Sequence, residues 1–129
     1  MNGATSGLEF LKGYRDLRTG NGIVGLYRTI RAEARFPLAM PLREAGVTSL
    51  TFTNAMHPDY TMLAIRRALK TDPNNPVILY HAIVQELRRL NIDGAKEHFE
   101  VLKKIGPRWP EIENTRVLIQ EVEKRIGKQ

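Results

Sequence analysis

The chain of 129 residues is long enough for one domain with one core and too short for two domains of ordinary size. It contains no cysteine, which excludes disulfides, thiolate zinc sites and cysteine nucleophiles. Its 20 Lys and Arg residues outnumber 14 Asp and Glu residues, and the net charge of +6 favours acidic partners at long range.

The N-terminal third predicts two helices. Apolar residues at helical spacing predict the first over about residues 7–18, and a cleaner stripe predicts the second over about residues 23–35. The Gly20–Gly22 turn separates them. Pro37 should end the second helix, because the residue before a proline avoids helical backbone angles.

The middle of the chain is less regular. Residues 36–46 form a connection broken by two prolines, and Pro41 could open a helix at its first position. Residues 47–56 are ambiguous, since their β-branched threonines suit a strand. No neighbouring segment would pair with a lone strand, so we interpret this stretch as a helix.

The C-terminal half predicts four further helices, over about residues 59–71, 77–90, 93–105 and 111–126. Asn75 is the expected N-cap of the second of these, with Pro76 as its first residue. In the last two helices, oppositely charged residues four positions apart are expected to pair, as Glu100 with Lys104 and Glu121 with Arg125. These patterns predict one all-α domain over residues 1–129, with about seven helices: an N-terminal pair at about 1–40, then hairpins over 41–129.

One helical hairpin, at about residues 76–107, resembles the tetratricopeptide (TPR) repeat, a 34-residue helix–turn–helix unit. Ala95 falls at the family's small position, Phe99 at its large position and Pro107 at its closing proline. One repeat earlier, Thr61 falls at the small position, Ile65 at the large position and Pro73 at the closing proline. Ala68 falls at the usual alanine of the second helix.

The chain also departs from the TPR pattern. Leu79 stands at the usual tryptophan, Glu86 at the usual tyrosine and Leu102 at the usual alanine, while Ala82-Ile83 replaces a Leu-Gly pair. The resemblance covers roughly residues 59–126. It implies a short solenoid of antiparallel hairpins, closed by residues 111–126 as a capping helix.

The resemblance further implies a non-catalytic protein-interaction or scaffold module. In the family, the first helix of each hairpin lines a concave groove that binds the ligand. The residues of this chain that correspond to the groove-facing positions are Val77, Tyr80, Val84, Leu87 and Arg88. Val84 stands where many relatives carry a carboxylate-clamp asparagine, which argues against chaperone tails as ligands. Tyr80 near Arg88 suits an extended peptide with one acidic group.

Two other functions remain open. Pro41 to Glu44 (Pro-Leu-Arg-Glu) before TPR-like helices resembles the soluble C-terminal region of bacterial membrane-bound O-antigen ligases and polymerases, which implies a periplasmic accessory domain. A pI of about 9.9 and the doublets Arg66-Arg67, Arg88-Arg89 and Lys103-Lys104 allow nucleic-acid binding. The charge is dispersed, and no nucleic-acid-binding motif accompanies it.

No motif predicts catalysis, a cofactor or a metal. Gly20 to Gly25 matches G-x-G-x-x-G, but a helix precedes it where dinucleotide binding needs a strand. His57, His81 and His98 lack the spacing of metal ligands. No apolar run is long enough for a membrane span and no secretion signal is evident. The sequence leaves the compartment open: we expect a soluble protein that is cytoplasmic if this is the full chain and periplasmic if it is a fragment of a membrane protein. Trp109, between two helix-breaking segments, is expected to plug a hairpin junction.

Overall fold

A computed structural model describes residues 21–47 and 58–127 of the chain, with side chains for residues 28–47 and 58–126. Within these ranges the protein is all-helical, as predicted, and has no strand. Six helices follow in order: α1 (Asn21–Arg35), α2 (Ala39–Glu44), α3 (Pro58–Thr71), α4 (Pro76–Arg88), α5 (Ile92–Ile105) and α6 (Ile112–Gly127). The predicted helix over residues 7–18 and almost all of the one over 47–56 lie outside the described residues.

The predicted bounds of five helices are confirmed to within two residues. The short helix α2 differs, because it begins at Ala39 and places Pro41 third in the helix. A proline is tolerated there because the first N–H groups of a helix have no carbonyl partner within it. Gly46 ends this segment with a φ of 93°, a left-handed angle that favours glycine.

The hydrophobic core consists of two clusters on either side of α4. The first joins α2, α3 and α4 through Leu38, Leu42, Ala45, Met62, Ile65, Ala68, Ile78 and Ala82. The second joins α4, α5 and α6 through Leu79, Ile83, Leu87, Ala95, Phe99, Leu102, Ile119 and Val122. Residues that are adjacent in α4 therefore enter different clusters, and α4 is the central helix of the described fold.

Helix α4 is buried on nearly every side. Every residue from Ile78 to Leu87 is buried except Tyr80, which is half-buried. Helices α3 and α5 cover two of its faces and α1 packs across a third. A helix that is apolar on most of its surface is expected in the centre of a domain, and α4 occupies that place.

The contact between α1 and α4 is more polar than the other helix contacts. Among the residues of α1 whose side chains are described, only Thr29 and Ala32 are buried. The side-chain amide of Gln85 donates to the Thr29 hydroxyl at 3.4 Å, and the His81 ring contacts the Phe36 carbonyl oxygen through Nε2 at 2.6 Å. The described side chains of α1, from Arg28 to Arg35, thus contact α4 through small residues and hydrogen bonds.

Candidate functional site

A cleft of about 250 Å³ lies between α1, α4 and α6. We call it the α1–α6 cleft and define it by the residues that line it: Arg28, Arg31, Ala32, Arg35, Tyr80, Val84, Glu111, Asn114, Thr115, Val117, Leu118 and Glu121. It combines charged walls with aromatic and aliphatic surface. This combination makes it the strongest candidate for a binding site in the described part of the chain.

One wall of the cleft carries a row of three arginines. Arg28, Arg31 and Arg35 are spaced three and four residues apart on α1, which places them on one face of the helix. Arg31 is exposed, and the Arg35 side chain is 58% exposed. Guanidinium groups remain charged and can bind a carboxylate through two parallel hydrogen bonds.

Two carboxylates of the opposite wall bind this row. Arg28 Nη2 lies 3.6 Å from Glu121 Oε1, and Arg35 Nη1 donates to Glu111 Oε2. Burial lowers the pKa of Arg28, and the nearby Glu121 carboxylate acts in the opposite direction. The cleft is therefore bridged at two points, by Arg35 and Glu111 just before α6 and by Arg28 and Glu121 within α6.

Glu111 is the more firmly held of the two carboxylates. Its side chain is 9% exposed, and Asn114 Nδ2 donates to its Oε1 at 3.3 Å while Arg35 binds Oε2. Glu121 is 55% exposed and lies at the other end of the contact. Exposed ion pairs contribute little because water and salt screen them, so the Arg28–Glu121 pair is the easier one to open.

Aromatic rings form the apolar part of the site. The Tyr80 ring meets Phe36 edge-on with centroids 5.5 Å apart, and Trp109 lies 4.5 Å from Phe36 and 6.1 Å from Tyr80. The Arg35 guanidinium lies 5.4 Å from the centre of the Phe36 ring. Burial raises the pKa of Tyr80, as does the Glu111 carboxylate, so its hydroxyl keeps its proton at neutral pH. Trp109 is half-buried at the α5–α6 junction, where the sequence places it.

The five residues predicted to bind a partner have different surroundings. Tyr80 and Val84 line the cleft, although Val84 is only 3% exposed. Leu87 is 5% exposed and belongs to the α4–α5–α6 cluster, so it faces other helices. Val77 and Arg88 are half-buried, and Arg88 Nη1 donates to Gln85 Oε1 at 3.1 Å. Of the five, only Tyr80 combines a position in the cleft with substantial exposure.

Sequence reasoning did not identify the charged residues of the cleft. The three- and four-residue spacing of Arg28, Arg31 and Arg35 is visible in the sequence and could have suggested a basic helix face. Their partners could not be found in this way, because Arg35 and Glu111 are 76 residues apart. The sequence predicted Arg125 as the partner of Glu121. The fold also brings Arg28 to within 3.6 Å of the Glu121 carboxylate.

The basic doublets have mainly local partners. Arg89 pairs with Asp59 and with Glu86, each at 2.7 Å. Glu100 pairs with Lys103 at 3.0 Å, and the Lys103 ammonium lies 5.2 Å from the centre of the Phe99 ring. Arg66 and Arg67 are exposed on α3. These residues are distributed over several helices and do not form a continuous basic groove with the cleft.

Glu86, the residue at the usual TPR tyrosine, stabilises the turn between α4 and α5. It is 3% exposed and accepts hydrogen bonds from Arg89 Nη1 at 2.7 Å and Asn91 Nδ2 at 3.3 Å. Its backbone carbonyl accepts from the Asn91 N–H at 2.8 Å. His98 Nε2 lies 4.0 Å from its other oxygen, and burial lowers the pKa of that imidazole. The hydrogen bonds give this buried carboxylate a structural role.

The glycine motif of the sequence is described from residue 21 onward. Residues 21–25 of the glycine motif lie in the first turns of α1. Within residues 21–47 and 58–127, no three His, Asp or Glu side chains lie close enough together to hold a metal ion. Among these helices, none has both the length and the apolar composition needed to cross a membrane.

Comparison with known proteins gives no relative: no family model, curated protein or solved structure matches this chain.

Proposed function

We propose that this protein is a non-catalytic helical module that binds a segment of a partner protein in the α1–α6 cleft. The observation that carries the proposal is the arrangement of the cleft, with three arginines on one wall and Tyr80 beside them. Arginine and tyrosine are the residues that contribute most to protein interfaces, because each combines a large contact area with hydrogen bonding.

The dimensions of the cleft favour a short segment over a folded partner. Its volume of about 250 Å³ lies near the lower end of the range for small-molecule sites, which begins at roughly 300 Å³. A few side chains of one extended or helical segment would fill it. Val117 is 44% exposed at its edge and offers apolar contact there.

The burial pattern also supports TPR-like packing, which we propose for α3 to α6. Ala95 is fully buried and Phe99 is 6% exposed, as expected for the small and large positions of the second helix. Thr61, Ile65 and Ala68 of the preceding unit are fully buried as well. On this proposal Tyr80 and Val84 lie on the groove side of α4, and α1 narrows the groove to the observed cleft.

The proposal is tested by selecting peptides from a random display library on the purified protein and measuring their affinities for variants. Arg31→Glu and Val117→Glu alter exposed residues of the cleft, so the fold should persist and affinity should fall at least tenfold. Arg66→Glu and Val101→Glu are matched controls, because both residues are exposed and lie outside the cleft. Selection of no peptide, or equal losses in controls and cleft variants, would contradict the proposal.

A further inference from the structure

The outer face of α3 carries the two most exposed large apolar side chains among the described residues. Tyr60 is 62% exposed and Leu63 is 57% exposed. They lie three positions apart, which places them next to each other on one face of the helix. The opposite face of α3 enters the core through Met62, Ile65 and Ala68. Two large apolar groups are therefore held on the side of α3 that is turned away from the core.

Three cations continue this face toward the C-terminal end of the helix. Arg66, Arg67 and Lys70 are exposed. Arg67 and Lys70 follow Leu63 at intervals of four and three residues, so all three lie on the same side of α3. Arg66 lies beside them, and the whole set spans about 15 Å along the helix axis, at 1.5 Å per residue. We call this set the α3 face and define it by its five residues: Tyr60, Leu63, Arg66, Arg67 and Lys70.

The single acidic residue of α3 does not neutralise these cations. Asp59 precedes the α3 face in the helix. Arg89, which follows α4, binds the Asp59 carboxylate at 2.7 Å. The Arg89 side chain is 27% exposed and also binds Glu86. The exposed side of α3 therefore keeps a net positive charge next to its apolar pair.

We propose that the α3 face binds the surface of a membrane that contains anionic lipids. A helix with apolar side chains beside Lys and Arg lies in the plane of such a surface, because the apolar groups enter the headgroup region and the cations meet lipid phosphates. Tyrosine suits this depth, since its ring is apolar and its hydroxyl is polar. No residue of the α3 face lines the α1–α6 cleft, so this second surface goes beyond the proposed function.

A lipid surface fits the α3 face better than other anionic partners do. A second copy of this chain would bring three cations against three cations, and like charges that face each other oppose association. A nucleic-acid backbone would meet the cations but would leave Leu63 in water. A peptide helix buries its apolar side chains in a groove of its partner. The α3 face is the convex outer side of one helix, and a bilayer receives side chains that project from such a surface.

The experiment measures cosedimentation of the full chain with lipid vesicles at fixed ionic strength. Vesicles of phosphatidylcholine with about one third phosphatidylglycerol should bind the protein at least tenfold more tightly than phosphatidylcholine alone, because three cations act together. Arg67→Gln should weaken binding about fivefold, since each cation near an anionic surface contributes roughly that factor. Leu63→Ser should weaken it at least threefold, because the apolar group no longer enters the lipid.

The matched controls change exposed residues of α6 in the same way. Lys124→Gln removes one positive charge, and Val117→Ser removes an aliphatic side chain that is 44% exposed. Each should change vesicle binding less than twofold. Because the chain has no cysteine, a polarity-sensitive fluorophore can be attached at Leu63→Cys alone. Its emission should shift to shorter wavelength on addition of the anionic vesicles, whereas the same label at Val117→Cys should not respond.

Several results would overturn the proposal. Equal binding to the neutral and the anionic vesicles would exclude recognition of lipid charge. Equal losses for Arg67→Gln and Lys124→Gln would show that only net charge matters. An unchanged emission at Leu63→Cys would show that the α3 face does not enter the lipid. Tighter binding to a single-stranded DNA than to the vesicles, weakened by Arg67→Gln and not by Leu63→Ser, would assign the cations to nucleic acid. Each of these results leaves peptide binding in the cleft standing, because the two surfaces share no residue.

Discussion

At the scale of single residues, His81 is a titratable side chain enclosed in the protein. It is fully buried, and its Nε2–H donates to the Phe36 carbonyl oxygen at 2.6 Å. Burial lowers its pKa from 6.5 to about 4, and the hydrogen bond to Phe36 opposes part of that shift. The neutral imidazole therefore attaches the end of α1 to α4 at neutral pH.

Protonation of His81 should destabilise the fold in mildly acidic solution. The unfolded chain binds a proton near pH 6.5 and the folded chain only near pH 4, so stability falls as the pH decreases between these values. Between pH 7 and pH 5 the expected loss is about 2 kcal/mol in the free energy of unfolding. Urea denaturation at the two pH values measures it.

The matched variant for this prediction is His81→Gln, whose amide can donate to the same carbonyl but does not titrate. It should lose about 2 kcal/mol less than the native protein on going from pH 7 to pH 5. The titration of other groups is common to both proteins and cancels in the comparison. Equal losses in the two proteins would show that His81 does not carry the pH dependence.

At the scale of secondary structure, the start of α4 depends on one side chain. Asn75 Oδ1 accepts from the backbone N–H groups of Val77 at 3.0 Å and Ile78 at 3.3 Å, and Asn75 Nδ2 donates to Asp72 at 3.0 Å. Pro76 follows as the first helical residue. The predicted N-cap is thus confirmed, and it fixes the first turn of the helix that both core clusters share.

Removal of this cap should weaken the whole fold. Asn75→Ala leaves the first N–H groups of α4 without their side-chain acceptor, which costs roughly 1 kcal/mol. Asn74→Ala is the control, since Asn74 is exposed in the same turn and is expected to change stability by less than about 0.5 kcal/mol. Thermal and urea denaturation compare the two. Equal stability of the two variants would show that the cap contributes nothing.

At the scale of the whole molecule, α1 is the helix that completes the cleft, and its described residues Arg28 to Arg35 contribute no side chain to the two core clusters. Helices α3, α5 and α6 contribute large buried side chains to the two core clusters. The described part of α1 contributes Ala32 and Thr29, supported by the ion pairs to α6. Elements with few buried apolar contacts open at lower free energy than the rest of a fold, so α1 should detach before α4 to α6 unfold.

Hydrogen exchange tests this order. Ala32 of α1 is 3% exposed. The substitution Ala32→Arg would place a charged side chain at this buried position. Amide protection in α1 should fall at least tenfold, while protection in α4 and α5 should remain near native values. Ala34→Arg is the control because Ala34 is exposed on the same helix. Equal loss of protection in all helices would show that α1 does not open independently.

The sequence by itself determined five of the described helices and their limits to within two residues, because caps, prolines and apolar spacing act between neighbouring residues. It also predicted the burial of Ala95 and Phe99, which the structure confirms, and it predicted a partner contact at Tyr80, which lines the cleft. Val84 and Leu87 belong to the same apolar stripe, and only the packing of α1 and α5 around α4 decided that both are enclosed.

Only the tertiary structure decided which charges meet. The helical spacing of Arg28, Arg31 and Arg35 is visible in the sequence, but only the fold places the carboxylates of Glu111 and Glu121 opposite them. The pairs Arg35–Glu111 and Arg28–Glu121 join residues 76 and 93 positions apart, the latter from 121 − 28. The physical reason is that no local preference couples such distant residues: the packing and hydrogen bonds that hold α1 against α4 bring the arginines to their carboxylates and so create the cleft.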